Sequence, residues 1–234
     1  MSKHNYFVIF LKKINLSINN LLKKYLNRLK FQNLLIISRS NKVFLTFVAL
    51  TILFLSYLSI PHTYDKGEIS KELENQLKDK FNLNFVFKED FQYKFFPRPH
   101  FIITDSFIIE KQKEISQIKE LSIYVSLDNL FSKKNMIIKD VIIENANFNL
   151  NNQNYNFFIN LLDANLLENN IKIKNSNVFF RNNDEEVLFI NKIKKINLYY
   201  DIHELRNNFY SDNEIFNISY SLNTHKVKDK KKHY

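Results

Sequence analysis

The side chains able to do chemistry in this chain are few and scattered. Six histidines, His4, His62, His100, His203, His225 and His233, are spread along it, and none has a histidine or carboxylate partner at metal-ligand spacing. There is no cysteine, which excludes disulfides and thiolate metal sites and leaves the redox compartment open. Asp184, Glu185 and Glu186 are adjacent, but they stand at the mouth of a hairpin pattern, where neighbouring charges form a solvated turn. No G-x-S-x-G, H-E-x-x-H or Walker sequence occurs. Gly67 is the single glycine, which argues against loops that cradle phosphate with close backbone approach. The abundance of Asn, Lys, Ile and Phe reads as the codon bias of an A+T-rich genome. The triplets Asn15-Leu-Ser and Asn217-Ile-Ser match the glycosylation pattern, which an Asn-rich chain contains by chance. The residues therefore assign no catalytic group, no metal site and no cofactor, and we expect no enzyme.

The pattern that does stand out belongs to a membrane. Val43–Ile60 reads VFLTFVALTILFLSYLSI, 18 residues without a charge. At 1.5 Å per residue such a helix covers roughly 27 Å, close to the hydrocarbon thickness of a bilayer. Arg39 and Lys42 bound it on one side, Pro61 on the other, with Tyr57 and Tyr64 placed for an aromatic belt. The run begins too far into the chain for a secretory signal and no small-x-small cleavage site follows, so the helix is expected to be retained. Residues 1–42 carry nine Lys and Arg and no acid, whereas the whole chain has a net charge of +10. Nine of the ten excess charges thus precede the span. A nucleic-acid binder would spread basic charge over its folded domain, so no nucleic-acid partner is expected. Instead the positive-inside rule puts the N-terminus in the cytoplasm and the rest outside it. Within the lead, residues 7–31 place Ile14, Ile18, Leu21, Leu22, Tyr25 and Leu29 near helical spacing among lysines. That fits a helix lying on an anionic leaflet, or a partly ordered basic tail.

Beyond the span, residues 65–80 read as an amphipathic helix, with Asp65 and Glu68 as a capping box and Ile69, Leu73 and Leu77 as the apolar stripe. The period then changes from about four to two. Phe91, Tyr93 and Phe95 alternate with polar residues; Phe101, Ile103, Phe107 and Ile109 share one parity, as do Leu121, Ile123 and Val125. Met136, Ile138, Ile142, Ala146, Phe148 and Leu150 are read as one face of a long strand, followed later by Ile196, Leu198 and Tyr200 and by Phe216, Ile218, Tyr220 and Leu222. Segments 127–132 and 155–163 read as helical turns. Two internal similarities are visible. Val141–Asn152 (VIIENANFNLNN) resembles Ile171–Asn182 (IKIKNSNVFFRN), and Ile118–Ser126 (IKELSIYVS) resembles Ile193–Asp201 (IKKINLYYD). Repeated strand units imply a sheet that grows by addition. The last ten residues, His225–Tyr234, hold five lysines and read as a solvated tail.

The order of these features, with Phe96-Pro97-Arg98-Pro99-His100-Phe101 set between Phe85–Lys88 and Ile102–Glu110, resembles the N-terminal region of the AsmA family. The Ile118–Ser132 step and the Ile143–Phe148 unit are similar to that family's repeated β units. Where the family usually has glycines, this chain has Asn82 and Glu89–Asp90. The resemblance covers roughly residues 40–200. It implies a lipid-holding groove related to that of TamB and the chorein-type lipid-transfer proteins, of which a chain of this length holds the start. The Pro-x-Pro segment either stiffens a turn or fixes the first strand's entry to that groove, and the two are compatible.

The expected class is α+β, mostly β: an N-terminal transmembrane helix, an amphipathic helix, then a curved, largely antiparallel sheet of repeated strand units. The expected divisions are a cytoplasmic tail (1–42), the span (43–60), an exported AsmA-like β-rich domain (61–224) and a basic tail (225–234). The resemblance implies a single-pass protein of the bacterial inner membrane, its β-rich part periplasmic, acting in phospholipid handling or outer-membrane assembly. Its implied partners are membrane phospholipids and an envelope protein. The residues proposed to face lipid are Leu121, Ile123, Val125, Ile142, Phe148, Ile196, Leu198, Phe216 and Ile218. The rival reading is an anchored periplasmic scaffold that binds a protein and no lipid. A one-sided apolar sheet must bury that face, either on its own side chains or on acyl chains.

Overall fold

The computed structural model describes residues 42–88, 91–110, 113–167 and 169–227. The surface helix expected over 7–31 lies outside the described residues, as does the chain after 227. The chain divides into two compact units, Met1–Ser56 and Tyr57–Tyr234. In the first, helix α1 (Lys42–Ser59) begins; its exposed apolar run is long enough to cross a membrane. The hydroxyls of Thr46 and Thr51 donate to the carbonyls of Lys42 and Phe47, each at 2.9 Å, so neither presents a free polar group along the run.

The second unit begins within the last turn of α1. A 3-10 turn, Ile60–Thr63, carries Pro61, and α2 (Lys66–Phe81) follows. Asp65 caps α2, its side chain accepting from the Glu68 N–H at 2.9 Å. The box is not reciprocal, because the Glu68 carboxylate pairs with Lys133 instead. Ile69, Leu73 and Leu77 are buried as expected, and Phe81 extends the stripe; full burial of each is worth roughly 1.5–3 kcal/mol. Asn82 ends α2 in the left-handed region at φ 56°, with its N–H on the Lys78 carbonyl. It stands where the family resemblance called for glycine, and Asn is the residue that tolerates this conformation next best.

Among the described residues nine strands form one sheet: β1 (Asn84–Phe87), β2 (Phe91–Lys94), β3 (His100–Glu110), β4 (Lys113–Val125), β5 (Ile138–Leu150), β6 (Asn170–Arg181), β7 (Val187–Asp201), β8 (Arg206–Ile215) and β9 (Ile218–Val227). The order is β1-β3-β4-β5-β6-β7-β8-β9, and β2 lies beyond β1 along the same edge of β3. Strand β9 continues through Val227, into the segment read as the tail.

All neighbours are antiparallel except β5 and β6, which run parallel. This pair is the 30-residue repeat: every partner is offset by 30, from Asp140 with Asn170 to Leu150 with Phe180. Equivalent side chains meet across the seam. Asn170 donates to Asp140 at 2.8 Å, Lys174 bonds Glu144 at 2.7 Å and Asn177 donates to Asn147 at 3.1 Å. A parallel connection cannot be a hairpin. The link therefore carries its own apolar cover, a short α3 (Phe157–Asn160) and a 3-10 turn, Leu161–Asp163. The second similarity relates β4 to β7, which flank the seam. The repeated strands are thus arranged about β5 and β6 as a pair of hairpins, not as a tandem series.

Two parity readings are corrected. In β3, β5 and β6 one residue adopts positive φ, namely Asp105 at 52°, Asn145 at 55° and Asn175 at 47°. At each, the alternation of covered side chains moves by one position while the pairing register is unbroken. In β5 the covered face takes Val141 and Ile143, then Ala146, Phe148 and Leu150. Ile142 therefore lies on the opposite face, in register with Ser122 and Lys172. In β3 the covered face changes from Phe101 and Ile103 to Ser106 and Ile108, which puts Phe107 on the other side, under the Lys88 ammonium.

Candidate functional site

The register lays apolar residues in rows across the sheet. One row runs Ile103, Leu121, Ile143, Ile173, Ile196; another runs Phe101, Ile123, Val141, Ile171, Leu198. All are buried in one core with the α2 stripe and with Phe157, Leu161, Leu162 and Leu166 of the link. The rows change character on β8 and β9. The first continues as Ser211 and Leu222, the second as Phe209 and Thr224. Asn207 holds the edge of the cover, its amide donating to the carbonyls of Leu162 at 2.7 Å and Ala164 at 3.1 Å.

Past that edge the cover stops. A cavity of 140 Å³ opens between the link (Phe158, Ile159, Leu162) and the strands, floored by Val178, Phe180, Ile193, Ile196 and Phe209 and bounded by Tyr220 and Leu222 of β9. Its polar side chains are Asn191, Ser211, Asn213, Tyr220 and Thr224; among the described residues no carboxylate, amine or imidazole lines it. Asn213 donates to Ser211 at 2.8 Å, whereas the Asn191 amide oxygen has no hydrogen-bond partner among the described residues. On β9 the apolar face is exposed: Ile218 is 67% accessible and Leu222 49%. β9 pairs with β8 on one side, and no described strand covers its other edge. A mostly apolar surface of this kind fits an apolar chain or an added strand.

The residues proposed to face lipid fall into three groups. Leu121, Ile123, Phe148, Ile196 and Leu198 are core residues, with Val125 buried at the end of β4. Of these, Ile196 also lines the cavity. Ile142 is on the opposite face. Phe216 and Ile218 are exposed at the β8–β9 turn. The structure brings the first group together and leaves the last two outside it. The link residues Phe158, Ile159 and Leu162 were missed as lining because they belong to no strand; their apolar run between polar Asn156 and Asp163 was the signal.

The Pro-x-Pro segment is fastened to the uncovered face. Arg98 pairs with buried Asp140 at 2.8 Å and lies over the Tyr124 ring at 4.6 Å, against which His100 stacks at 4.8 Å. Three tyrosines tie the start of the unit to its loops. Tyr57 donates to the Leu127 carbonyl at 2.6 Å, Tyr64 to Leu130 at 2.5 Å, and Tyr93 to Leu58 at 2.8 Å. Burial pushes the Tyr64 phenol above its ordinary range and that of Tyr93 up to about 12.

Among curated proteins no relative matches the sequence. The AsmA family matches residues 38–207, more than half of the chain, a stretch that takes in the apolar helix and ends in β8. An apolar helix followed by an amphipathic one, a mostly β unit and this match agree, and the chain belongs to the AsmA family.

Proposed function

We propose that this protein is anchored by α1 in a bacterial inner membrane with its β-rich unit in the periplasm, where it handles phospholipids in transport or outer-membrane assembly. One observation carries the lipid reading: the apolar face of the sheet is covered over β3–β5 but opens across β6 to β9 into a cavity that reaches exposed Tyr220 and Leu222, with exposed Ile218 on the same face of β9. Acyl chains would enter there. The rows under α2 are packed on the protein's own side chains and serve as the floor's support.

The rival reading, a scaffold for an envelope protein, is favoured by the packed rows and by the edge of β9 that no described strand pairs, which can accept a strand from a partner. A photoreactive amino acid at Leu222 in intact cells separates the two. Lipid adducts at Leu222, absent at Asn223 on the other face, support the groove. Protein adducts alone at Leu222 would replace it with the scaffold.

A further inference from the structure

The loops that meet the last turn of α1 expose large apolar side chains in a place where water is not their natural surrounding. Phe96 is 80% accessible and Phe131 65%, with Phe95 and Leu127 beside them also exposed. These residues are not on floppy excursions. The loop holding Leu127 and Phe131 is bonded to the helix end through Tyr57, whose hydroxyl donates to the Leu127 carbonyl and accepts from the Leu130 N–H at 3.2 Å. The loop holding Phe95 and Phe96 follows Tyr93, whose hydroxyl donates to the Leu58 carbonyl. A hydrogen bond from the Val125 N–H to the Pro99 carbonyl at 3.0 Å joins the two loops. Phe95 and Phe96 also share a cavity with Ser59 and His62.

We propose that Phe95, Phe96, Leu127 and Phe131 form an aromatic collar that inserts into the interfacial layer of the same bilayer that α1 spans; this rests on the membrane-anchored reading above. Tyr57 and Leu58 belong to the last turn of an 18-residue apolar helix, so groups hydrogen-bonded to them sit within one interfacial thickness of the hydrocarbon edge. Exposed Lys94 and Lys134 flank the four residues and suit anionic headgroups. The same end of the sheet carries exposed Ile202 and Leu205 in the β7–β8 turn. At the opposite end, the turns 151–154 and 182–186 are built of Asn, Gln, Arg-paired carbonyl and acidic residues, although Tyr155 and Phe216 there are exposed too. A collar of this kind would hold lipid tails next to the protein at the point where the exported unit begins.

The chain contains no tryptophan, so single substitutions report without background. Full-length Phe96→Trp, Phe131→Trp, Tyr155→Trp and Phe47→Trp variants are reconstituted in vesicles of phosphatidylethanolamine and phosphatidylglycerol, some carrying lipids brominated near the headgroup end of the acyl chain and others near its middle. Relative to Tyr155→Trp, the two collar variants should emit at shorter wavelength and lose emission with the shallow brominated lipids, and Phe47→Trp should lose it with the deep ones. If Phe47→Trp is quenched while Phe96→Trp and Phe131→Trp behave like Tyr155→Trp, the collar is wrong and the anchor stands. Failure of Phe47→Trp to be quenched overturns the anchor, and the collar with it. Shielding of Phe96→Trp from an aqueous quencher without quenching by brominated lipid shows that the patch covers protein, and overturns the collar as well.

Discussion

Tyr93 is where ionisation and structure are most tightly linked. Its phenol titrates at about 12, against an ordinary 10.0, chiefly because burial disfavours the phenolate, with Tyr57 and Tyr64 adding in the same direction. A pKa raised in the folded state means that the unfolded chain loses its proton first. The contribution is therefore fully present below pH 10 and is lost as pH rises from 10 to about 12. Tyr93→Phe should flatten that alkaline loss in chemical-unfolding curves. At neutral pH it should cost about 1 kcal/mol for the hydrogen bond to the Leu58 carbonyl; an unchanged alkaline slope would place the effect elsewhere. Core and cavity residues separate just as cleanly. Leu121→Asp buries an unpaired carboxylate in the closed part of the sheet, which costs several kcal/mol and should unfold a marginally stable unit. Leu222→Asp sits at a half-exposed position on β9 and should leave the melting temperature nearly unchanged while removing co-purified lipid. Loss of folding in both would mean that β9 belongs to the core.

At the scale of elements, asparagine supplies the conformations that glycine supplies elsewhere. Asn82, Asn129, Asn145, Asn175 and Asn217 all have positive φ in a chain with one glycine. The helix of 66–81, its cap and its stripe were legible because period and capping are local. The strands were legible as strands, but their faces were not, because an Asn in mid-strand is an ordinary solvent-side residue until its φ is known. That is why Ile142 was placed on the covered face and why Val141 and Ile143, its neighbours, were overlooked. The 30-residue similarity was legible, but its meaning as a parallel seam was not; nothing in two similar strands says whether they pair side by side. The Arg98–Asp140 fastening joins residues far apart in the chain and had no sequence signal at all. The positive-φ positions inside the strands make a direct test. Asn145→Val forces a β-branched residue into the left-handed region and should cost about 1–2 kcal/mol, whereas Asn145→Gly should be close to neutral. Equal losses in both, measured by urea unfolding, would show that the Asn145 side chain and not its backbone is what matters.

For the whole molecule, the proposed anchoring raises the question of which side of the membrane would receive the sheet. The charge bias that orients a span is counted in Lys and Arg within about 15–20 residues of its ends. Before Val43 that window holds Lys23, Lys24, Arg28, Lys30, Arg39 and Lys42, and after Ile60 it holds Lys66, Lys71, Lys78 and Lys80. The margin is modest, and the two residues that create it are Arg39 and Lys42, which also lie closest to the span. The lysines that follow belong to α2, where acids are interleaved with them. Alkaline phosphatase fused after Tyr234 should thus be active, as in any protein whose C-terminal part is exported, and a fluorescent cytoplasmic reporter at the same site should stay dark. Arg39→Asn with Lys42→Asn brings the two windows level, and phosphatase activity should fall as a fraction of the molecules insert the other way. Adding Lys23→Asn, Lys24→Asn, Arg28→Asn and Lys30→Asn should take most of the remaining activity with it. Full phosphatase activity in that last variant would mean that some feature other than the basic lead orients the span, and an inactive phosphatase in the parent would put the sheet on the cytoplasmic side.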